Sequence, residues 1–285
     1  MYAARYRKYA TLTIAIFGFI LLGSLFAAIN SNSKIMQRAS AVDKQSEKMQ
    51  MSAANSSMAT NSTSIVLVHG GWADGSGWYK VIPILENAGH RVIAVQLPLH
   101  SLSDDVATVK RAIDLVGGPV TLVGHSYGGA VITNAAYNNK NVTGLVYVAA
   151  FAPDEGQSLS NFVDAKSFPQ GFLVLDSAGL AYINTTMFHD RFAQDVDLNE
   201  ANIMAVTQKP FNASIFGEKS GPPAWKQLPT WYQVSESDLM IPPDVERQFA
   251  KQMNATTISF NASHASYVSH PNEIAQLILN ATKGK

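Results

Sequence analysis

The chain has 285 residues, of which 47% are hydrophobic and 15% are charged, enough to build one large α/β domain with its own core. Its 21 basic and 21 acidic residues cancel, and no basic patch is interleaved with aromatic side chains, which argues against a nucleic-acid partner. The lack of cysteine excludes a disulfide framework, thiol catalysis and cysteine-based metal sites.

The N-terminal region has the pattern of a membrane-targeting segment. Three basic residues precede an uncharged, mostly apolar run over residues 9–29, which is long enough to span a bilayer. We interpret residues 1–30 as an uncleaved membrane anchor or a cleaved signal peptide. The length of the run favours the anchor, as does Leu25, which occupies a position before the candidate cleavage site after Ala27 where a small residue is expected. Both interpretations place the rest of the chain outside the cytoplasm.

Residues 31–63 are predicted to form a flexible tether. This stretch is rich in Ser, Asn, Ala, Met, Gln and Lys, and it has neither aromatic residues nor a sustained apolar period. A folded domain is then expected over residues 64–285.

Strands and helices alternate along this domain. The strands that precede the insertion are continuous apolar runs, as is typical of a parallel sheet covered on both faces. The sequence therefore predicts an α/β fold with a mostly parallel sheet of about six strands and helices on both faces. The predicted strands are Ile65–Val68, Arg91–Gln96, Val120–Val123, Val142–Ala149, Thr230–Val234 and Thr256–Phe260. The predicted helices are Tyr79–Asn87, a helix capped by Ser103 that runs to Val116, Ala130–Ala136, Pro242–Met253 and Pro271–Ala281.

An insertion over about residues 153–229 interrupts this alternation. It mixes short helical stretches with Gly and Pro and has no strong buried strand, which predicts a small helical cap over the carboxyl edge of the sheet. Most of its apolar side chains are expected to pack on the core, and a few to line an apolar pocket. These side chains are Phe168, Phe172, Tyr182, Met187, Phe188, Phe192, Phe211, Phe216 and Trp225.

Residues 124–128 read GHSYG, a match to G-x-S-x-G between a predicted strand and a predicted helix. The motif forces its serine into a strained turn, and Gly124 and Gly128 leave the room that this turn needs. An ordinary glycine-rich turn with a bystander serine would also match the five-residue pattern. The flanking strand and helix favour Ser126 as a nucleophile.

A serine nucleophile needs a base within hydrogen-bond reach and a group that orients the base. In a parallel sheet, functional loops lie at the carboxyl ends of the strands. Asp238 and His264 both come just after predicted strands, and the order Ser126, Asp238, His264 is that of an α/β-hydrolase. They are the predicted acid and base.

Other residues compete for these roles. Most of the competing histidines precede the motif, lie in the insertion or stand at a helix start, and His125 is predicted to point away from the Ser126 hydroxyl. The alternative bases are His90, His100, His125, His189 and His270, and the alternative acids are Glu236 and Asp154.

Attack on a carbonyl creates an oxyanion, which needs hydrogen-bond donors already in place. One predicted donor is the backbone N–H of Tyr127, directly after the nucleophile. The other is the N–H of Gly71, in the loop after the first strand, with Trp72 as the neighbouring alternative. This chemistry requires no cofactor and no metal.

Several stretches in order carry a family resemblance: the region 65–98, LVGHSYGGAVI, LVYVAAFAPDEGQS, WYQVSESDLMIPPD and SHASYVSHP. Together they resemble the α/β-hydrolase superfamily and, within it, the bacterial esterase-like group related to plant methylesterases and hydroxynitrile lyases. The resemblance covers residues 64–281. It implies nucleophile, base and acid roles for Ser126, His264 and Asp238, oxyanion donors at Gly71 and Tyr127, and no cofactor.

Two departures bear on the reaction. The lyases of this group carry a Thr after the first-strand histidine and a Lys after the catalytic one, where this chain has Gly70 and Ala265. Related dehalogenases and epoxide hydrolases carry Asp where this chain has Ser126. The expectation is therefore an exported serine hydrolase that cleaves a small carboxylic ester through an acyl-enzyme. The alternatives are a small-molecule receptor of the same fold with slow turnover, and another hydrolase or lyase chemistry in the same site.

Overall fold

The central feature of the fold is a sheet of six parallel strands, seen in a computed structural model that describes residues 63–284. The strands in this range are β1 (Ser64–Val68), β2 (Val92–Ala94), β3 (Val120–His125), β4 (Val142–Val148), β5 (Leu173–Leu175), β6 (Leu180–Ile183), β7 (Phe211–Asn212), β8 (Thr230–Ser235) and β9 (Thr256–Phe260). The sheet order is β2–β1–β3–β4–β8–β9, and every neighbouring pair is parallel. The predicted sheet is confirmed.

Helices cover both faces of this sheet, and β1 and β3 are therefore buried at every position. The α-helices in the described range are α1 (Ile82–Asn87), α2 (Leu102–Val116), α3 (Tyr127–Ala135), α4 (Thr185–Phe192), α5 (Leu198–Thr207), α6 (Pro243–Gln252), α7 (Ser266–Ser269) and α8 (Pro271–Thr282). Helix α2 packs on α3, and α1 packs on α8. The α/β class predicted from alternation is therefore the observed one.

Several element boundaries differ from the predicted ones. Gly75–Trp78 is a short 3₁₀ turn, and α1 begins at Ile82, where Pro83 suits a first turn because it lacks an N–H. Helix α2 is capped by Ser101 and not by Ser103. The Ser101 backbone is extended, and its side chain accepts a hydrogen bond from Asp104 N at 3.1 Å.

The insertion is a mixed cap and not a purely helical one. Strands β5, β6 and β7 form an antiparallel sheet beside α4 and α5, with Ala181 paired to Phe211. These strands have two to four residues, too few for a period-two pattern to emerge from the sequence. Their pairing depends on contacts between distant segments.

The predicted membrane segment over residues 1–30 lies outside the described residues, as does the tether over residues 31–63 except for its last residue. Within residues 63–284, no helix is long and apolar enough to cross a bilayer.

Candidate active site

Ser126 lies at a sharp turn between β3 and α3. Its backbone has φ 53° and ψ −125°. This positive φ is a conformation that a residue with a side chain adopts only under strain. The turn is held because Ser126 N donates to Val148 O and Ala149 O, while Ser126 O accepts from Phe151 N. The side chain stands at the N-terminal end of α3, where backbone N–H groups favour negative charge.

Three glycines make room for this turn. A Cβ on Gly124 would lie 2.6 Å from Gly128 O, and a Cβ on Gly128 would lie 2.6 Å from His69 O. A Cβ on Gly70 would lie 2.6 Å from Ser126 Cβ, so the loop after β1 passes directly against the serine. The close approaches are between backbone segments that cannot rotate away, which explains the glycine spacing of the motif.

Gly128→Ala is expected to destabilise the fold strongly. The added methyl meets two backbone carbonyl oxygens, those of Val68 and His69, each at 2.6 Å. Overpacking of this kind costs about 3 kcal/mol, the upper end of the usual range. Chemical denaturation would measure the loss, with Gly217→Ala as the control because a Cβ there meets nothing within 4 Å. Equal stability of the two variants would contradict the packing argument.

Asp238 and His264 form a buried pair. Asp238 Oδ2 lies 2.6 Å from His264 Nδ1, and Asp238 Oδ1 accepts from Met240 N at 2.6 Å and Ile241 N at 2.9 Å. Because Nδ1 donates to the carboxylate, the neutral tautomer compatible with this bond has its proton on Nδ1 and its lone pair on Nε2. A neutral imidazole in this tautomer is the form that can take a proton from a hydroxyl.

His125 ties the His264 loop to the turn that carries Ser126. Its Nε2 donates to the His264 carbonyl oxygen at 2.8 Å, and the two ring centroids are 4.7 Å apart. Burial holds the His125 pKa well below 6.5, so its ring is neutral. The structure thus brings His264 beside the residue that precedes Ser126. Sequence reasoning missed this role, because the contact joins positions far apart in the chain and leaves no local signal.

The loop after β1 is held in place by His69. Its Nδ1 donates to Gly70 O at 2.8 Å, and its Nε2 accepts from Leu97 N at 3.0 Å. Burial lowers the His69 pKa to about 4, so the ring stays neutral and keeps both bonds at neutral pH. Trp72, at the end of the loop, has a positive φ of 57°. The backbone of Gly71 is therefore carried on a fixed segment that runs past Ser126.

Tyr127, the other predicted oxyanion residue, is anchored by its side chain. Its hydroxyl donates to Asp105 Oδ2 at 2.7 Å, and Asp105 Oδ1 accepts from Leu99 N at 2.9 Å. Burial raises the pKa of Asp105, although the Tyr127 and Leu99 hydrogen bonds oppose this shift. The Tyr127 side chain is thus held by Asp105, and the backbone of the preceding Ser126 is held by the hydrogen bonds described above. Together these contacts fix the backbone around the Tyr127 N–H. The donor roles of Gly71 and Tyr127 stay predictions.

Two aromatic side chains of the cap pack against His264 and Tyr127. The Phe192 ring of α4 lies 4.9 Å from the His264 ring, and the Phe211 ring of β7 lies 5.3 Å from that of Tyr127. Ser126 is 7% exposed and His264 is 1% exposed. Two of the apolar cap residues singled out in the sequence, Phe192 and Phe211, therefore pack against His264 and Tyr127.

The rival residues lie in other contacts. His189 pairs with the neighbouring Asp190, and His270 contacts Ser269 Oγ, with Asp195 at 3.7 Å. The other contacts pair His90 with Thr63 O, Glu236 with Arg247, and Asp154 with Lys226. The part of the chain that the structure describes contains no cluster of three His or acidic side chains that could hold a metal ion.

Comparison with known proteins agrees with this architecture. Residues 65–277 match the model of the alpha/beta hydrolase family. A pyrethroid hydrolase of Sphingobium wenxiniae is 27% identical over 245 residues, which cover 76% of this chain and 86% of that protein. Methylesterase 2 of Arabidopsis thaliana is 28% identical over 218 residues, covering 64% of this chain and 81% of the methylesterase.

A solved structure shares the same fold. The crystal structure of a pyrethroid hydrolase from Sphingobium faniae superposes with a TM-score of 0.67 at 24% sequence identity. The match covers 78% of this chain and 97% of that one. With the family model spanning most of the chain, and with the strand order and the serine turn described above, the chain belongs to the alpha/beta hydrolase family.

Proposed function

We propose that this protein is a serine hydrolase that cleaves small carboxylic esters, with Ser126, His264 and Asp238 as its catalytic triad. The observation that carries the proposal is the buried His264–Asp238 pair, whose loop is bonded to the turn that presents Ser126. A nucleophile, a base and an orienting acid in this order are the minimum set for acyl transfer by a serine.

In the proposed reaction, Ser126 Oγ attacks the ester carbonyl carbon while His264 Nε2 takes the hydroxyl proton. The N–H groups of Gly71 and Tyr127 stabilise the oxyanion that forms. When the tetrahedral intermediate collapses, the C–O bond to the alcohol breaks and His264 returns the proton to the departing alkoxide. A water molecule, deprotonated by His264, then attacks the acyl-enzyme and releases the acid.

The ester as substrate class is supported by the relatives and by the site. Two of the similar proteins are named as a pyrethroid hydrolase and a methylesterase. The aromatic rings of Phe192 and Phe211, which pack against His264 and Tyr127, give the surroundings of the site an apolar character that suits an acyl or alkyl group. A lyase reaction is disfavoured by Gly70 and Ala265, which stand where the related lyases carry Thr and Lys.

The test is hydrolysis of p-nitrophenyl esters of increasing acyl length by the full chain. We expect turnover with an optimum at one chain length, because the surroundings of the buried Ser126 limit the acyl volume that can reach it. A fluorophosphonate probe run in parallel reports whether the serine is reactive. Labelling without turnover of any ester would reject the ester as substrate and favour a receptor with slow chemistry or another acyl substrate.

We also propose that the domain lies outside the cytoplasm, joined to a membrane or released from it. The support is the run of basic and then apolar residues over positions 1–30. Protease treatment of intact cells, followed by fractionation, would test both points. Export would be contradicted if the domain resisted the protease in intact cells and was digested only after the cells were lysed.

A further inference from the structure

One buried carboxyl group beside the site has no part in the mechanism above. Glu246 lies on the inward face of α6, which also buries Phe249 and Ala250. Its side chain is fully buried, at 0% exposure. Burying an acidic side chain on the apolar face of a helix costs free energy unless the side chain is paired or neutral. The burial of Glu246 therefore needs a physical explanation.

The contacts of Glu246 lead to the proposed catalytic acid. Its Oε2 accepts a hydrogen bond from Ser235 N at 2.9 Å, and Ser235 O accepts one from Asp238 N at 3.2 Å, so the end of β8 holds the two acids side by side and their carboxyl groups interact. Its other oxygen, Oε1, is buried and has no donor within residues 63–284. Two ionised carboxylates only accept hydrogen bonds, so they cannot bond to each other. A favourable contact requires that one of the pair carries a proton.

The surroundings decide which carboxyl group holds the proton. Asp238 accepts hydrogen bonds from three donors, Met240 N, Ile241 N and His264 Nδ1, so its oxygens already act as acceptors. Glu246 receives a single backbone donor in an apolar setting. Burial, followed by the charge of Asp238, holds the Glu246 pKa well above its ordinary value of 4.5.

Within residues 63–284, the charged groups that act most strongly on Glu246 are acidic. Glu236, on the loop after β8, adds further negative charge near Glu246. Arg247, the next residue on α6, points to the surface and pairs with Glu236 and Asp244. Tyr232 faces Glu246 from β8, and burial raises its pKa well above 10, so it is neutral.

We propose that Glu246 is a neutral carboxylic acid that donates a hydrogen bond to Asp238 and is a positioning residue for the triad. This inference rests on the proposed function, since it assigns Glu246 a role through Asp238. The donated bond supplies Asp238 with a fourth donor, which fixes the rotation of its carboxylate toward His264. Glu246 does not reach the substrate.

The first test compares Glu246→Gln with Glu246→Leu in the full chain. The glutamine amide can donate the same hydrogen bond, so E246Q is expected to keep wild-type kcat and KM. The leucine cannot, and E246L is expected to lower kcat by about tenfold to hundredfold with KM unchanged, the factor for losing a hydrogen bond to a charged group. Glu236→Gln is the control, because that half-buried carboxylate is paired with Arg247.

The second test reads the proton directly and needs no substrate. Because the folded-state pKa of Glu246 is raised, the folded protein keeps a proton that the unfolded chain loses above about pH 4.5. The contribution of Glu246 to the free energy of unfolding therefore falls as the pH rises from that value to the folded-state pKa. The glutamine of E246Q does not titrate, so the stability advantage of E246Q over wild type should grow with pH across this range.

Two results would overturn the inference. A stability difference that stays constant from about pH 5 to pH 8 would mean that Glu246 is ionised at its ordinary pKa. Wild-type kinetics and wild-type fluorophosphonate labelling in a folded E246L would mean that Glu246 positions nothing. The labelling rate separates this outcome from failure of the proposed function. If no ester is cleaved but E246L still slows labelling of Ser126, the substrate class fails and the role of Glu246 stands.

Discussion

Ser126→Ala is expected to abolish ester hydrolysis while leaving the fold intact. Removal of a triad serine costs about a millionfold in kcat, because no other group forms the acyl-enzyme. The substitution removes one oxygen from a side chain whose backbone is held by hydrogen bonds to Val148, Ala149 and Phe151, and those bonds remain. The measurement is kcat on the preferred p-nitrophenyl ester, with thermal unfolding as the check on folding.

Ser160→Ala is the matched control for this experiment. Ser160 is exposed, and its hydroxyl contacts only Ser158 Oγ among the described side chains. The control should keep full activity. Turnover retained by Ser126→Ala at the control level would reject Ser126 as the nucleophile and, with it, the acyl-enzyme mechanism.

Asp238→Asn is expected to lower kcat by about ten-thousandfold without unfolding the protein. The backbone N–H groups of Met240 and Ile241 donate to Asp238 Oδ1, so the amide oxygen of the variant would occupy that position. Its NH₂ group would then face His264 Nδ1 and require a lone pair there. The histidine proton would move to Nε2, which could no longer accept the proton of Ser126.

Glu236→Gln is the matched control for the acid, because Glu236 lies two residues away and was the alternative candidate. Its carboxylate bonds to Arg247 at the surface, so the substitution should change kcat little. The acid is wrongly assigned if Asp238→Asn is silent and Glu236→Gln reduces activity. Measuring both variants on the same ester removes any effect of substrate choice.

The two neighbouring carboxyl groups of Asp238 and Glu246 illustrate how environment divides the roles of chemically similar side chains. Asp238 accepts hydrogen bonds from three donors, whereas Glu246 is surrounded by apolar groups and another carboxyl group. The same comparison explains why Glu246→Gln is expected to be tolerated and Asp238→Asn is not. An amide can replace a neutral acid that donates, but it cannot replace an anion that only accepts.

The sequence by itself determined the features that depend on local spacing. Gly124, Ser126 and Gly128 specify the turn through a pattern within five residues, although the contacts that exclude a Cβ at Gly128 come from Val68 and His69 at the end of β1. Continuous apolar strands alternating with helices specify a parallel sheet, because such strands must be covered on both faces. Once the sheet is parallel, residues that directly follow strands meet at one edge, which brings Asp238 and His264 together.

Only the tertiary structure decided the features that join distant segments. The bond from His125 to the His264 carbonyl, the antiparallel strands of the cap and the packing of Phe211 against Tyr127 have no local pattern. In the sequence, Glu246 is marked only as an acid at an inward position of an amphipathic helix, alongside Phe249 and Ala250. The sequence could not assign its partner, because burial and the proximity of Asp238 arise only when α6 packs beside β8.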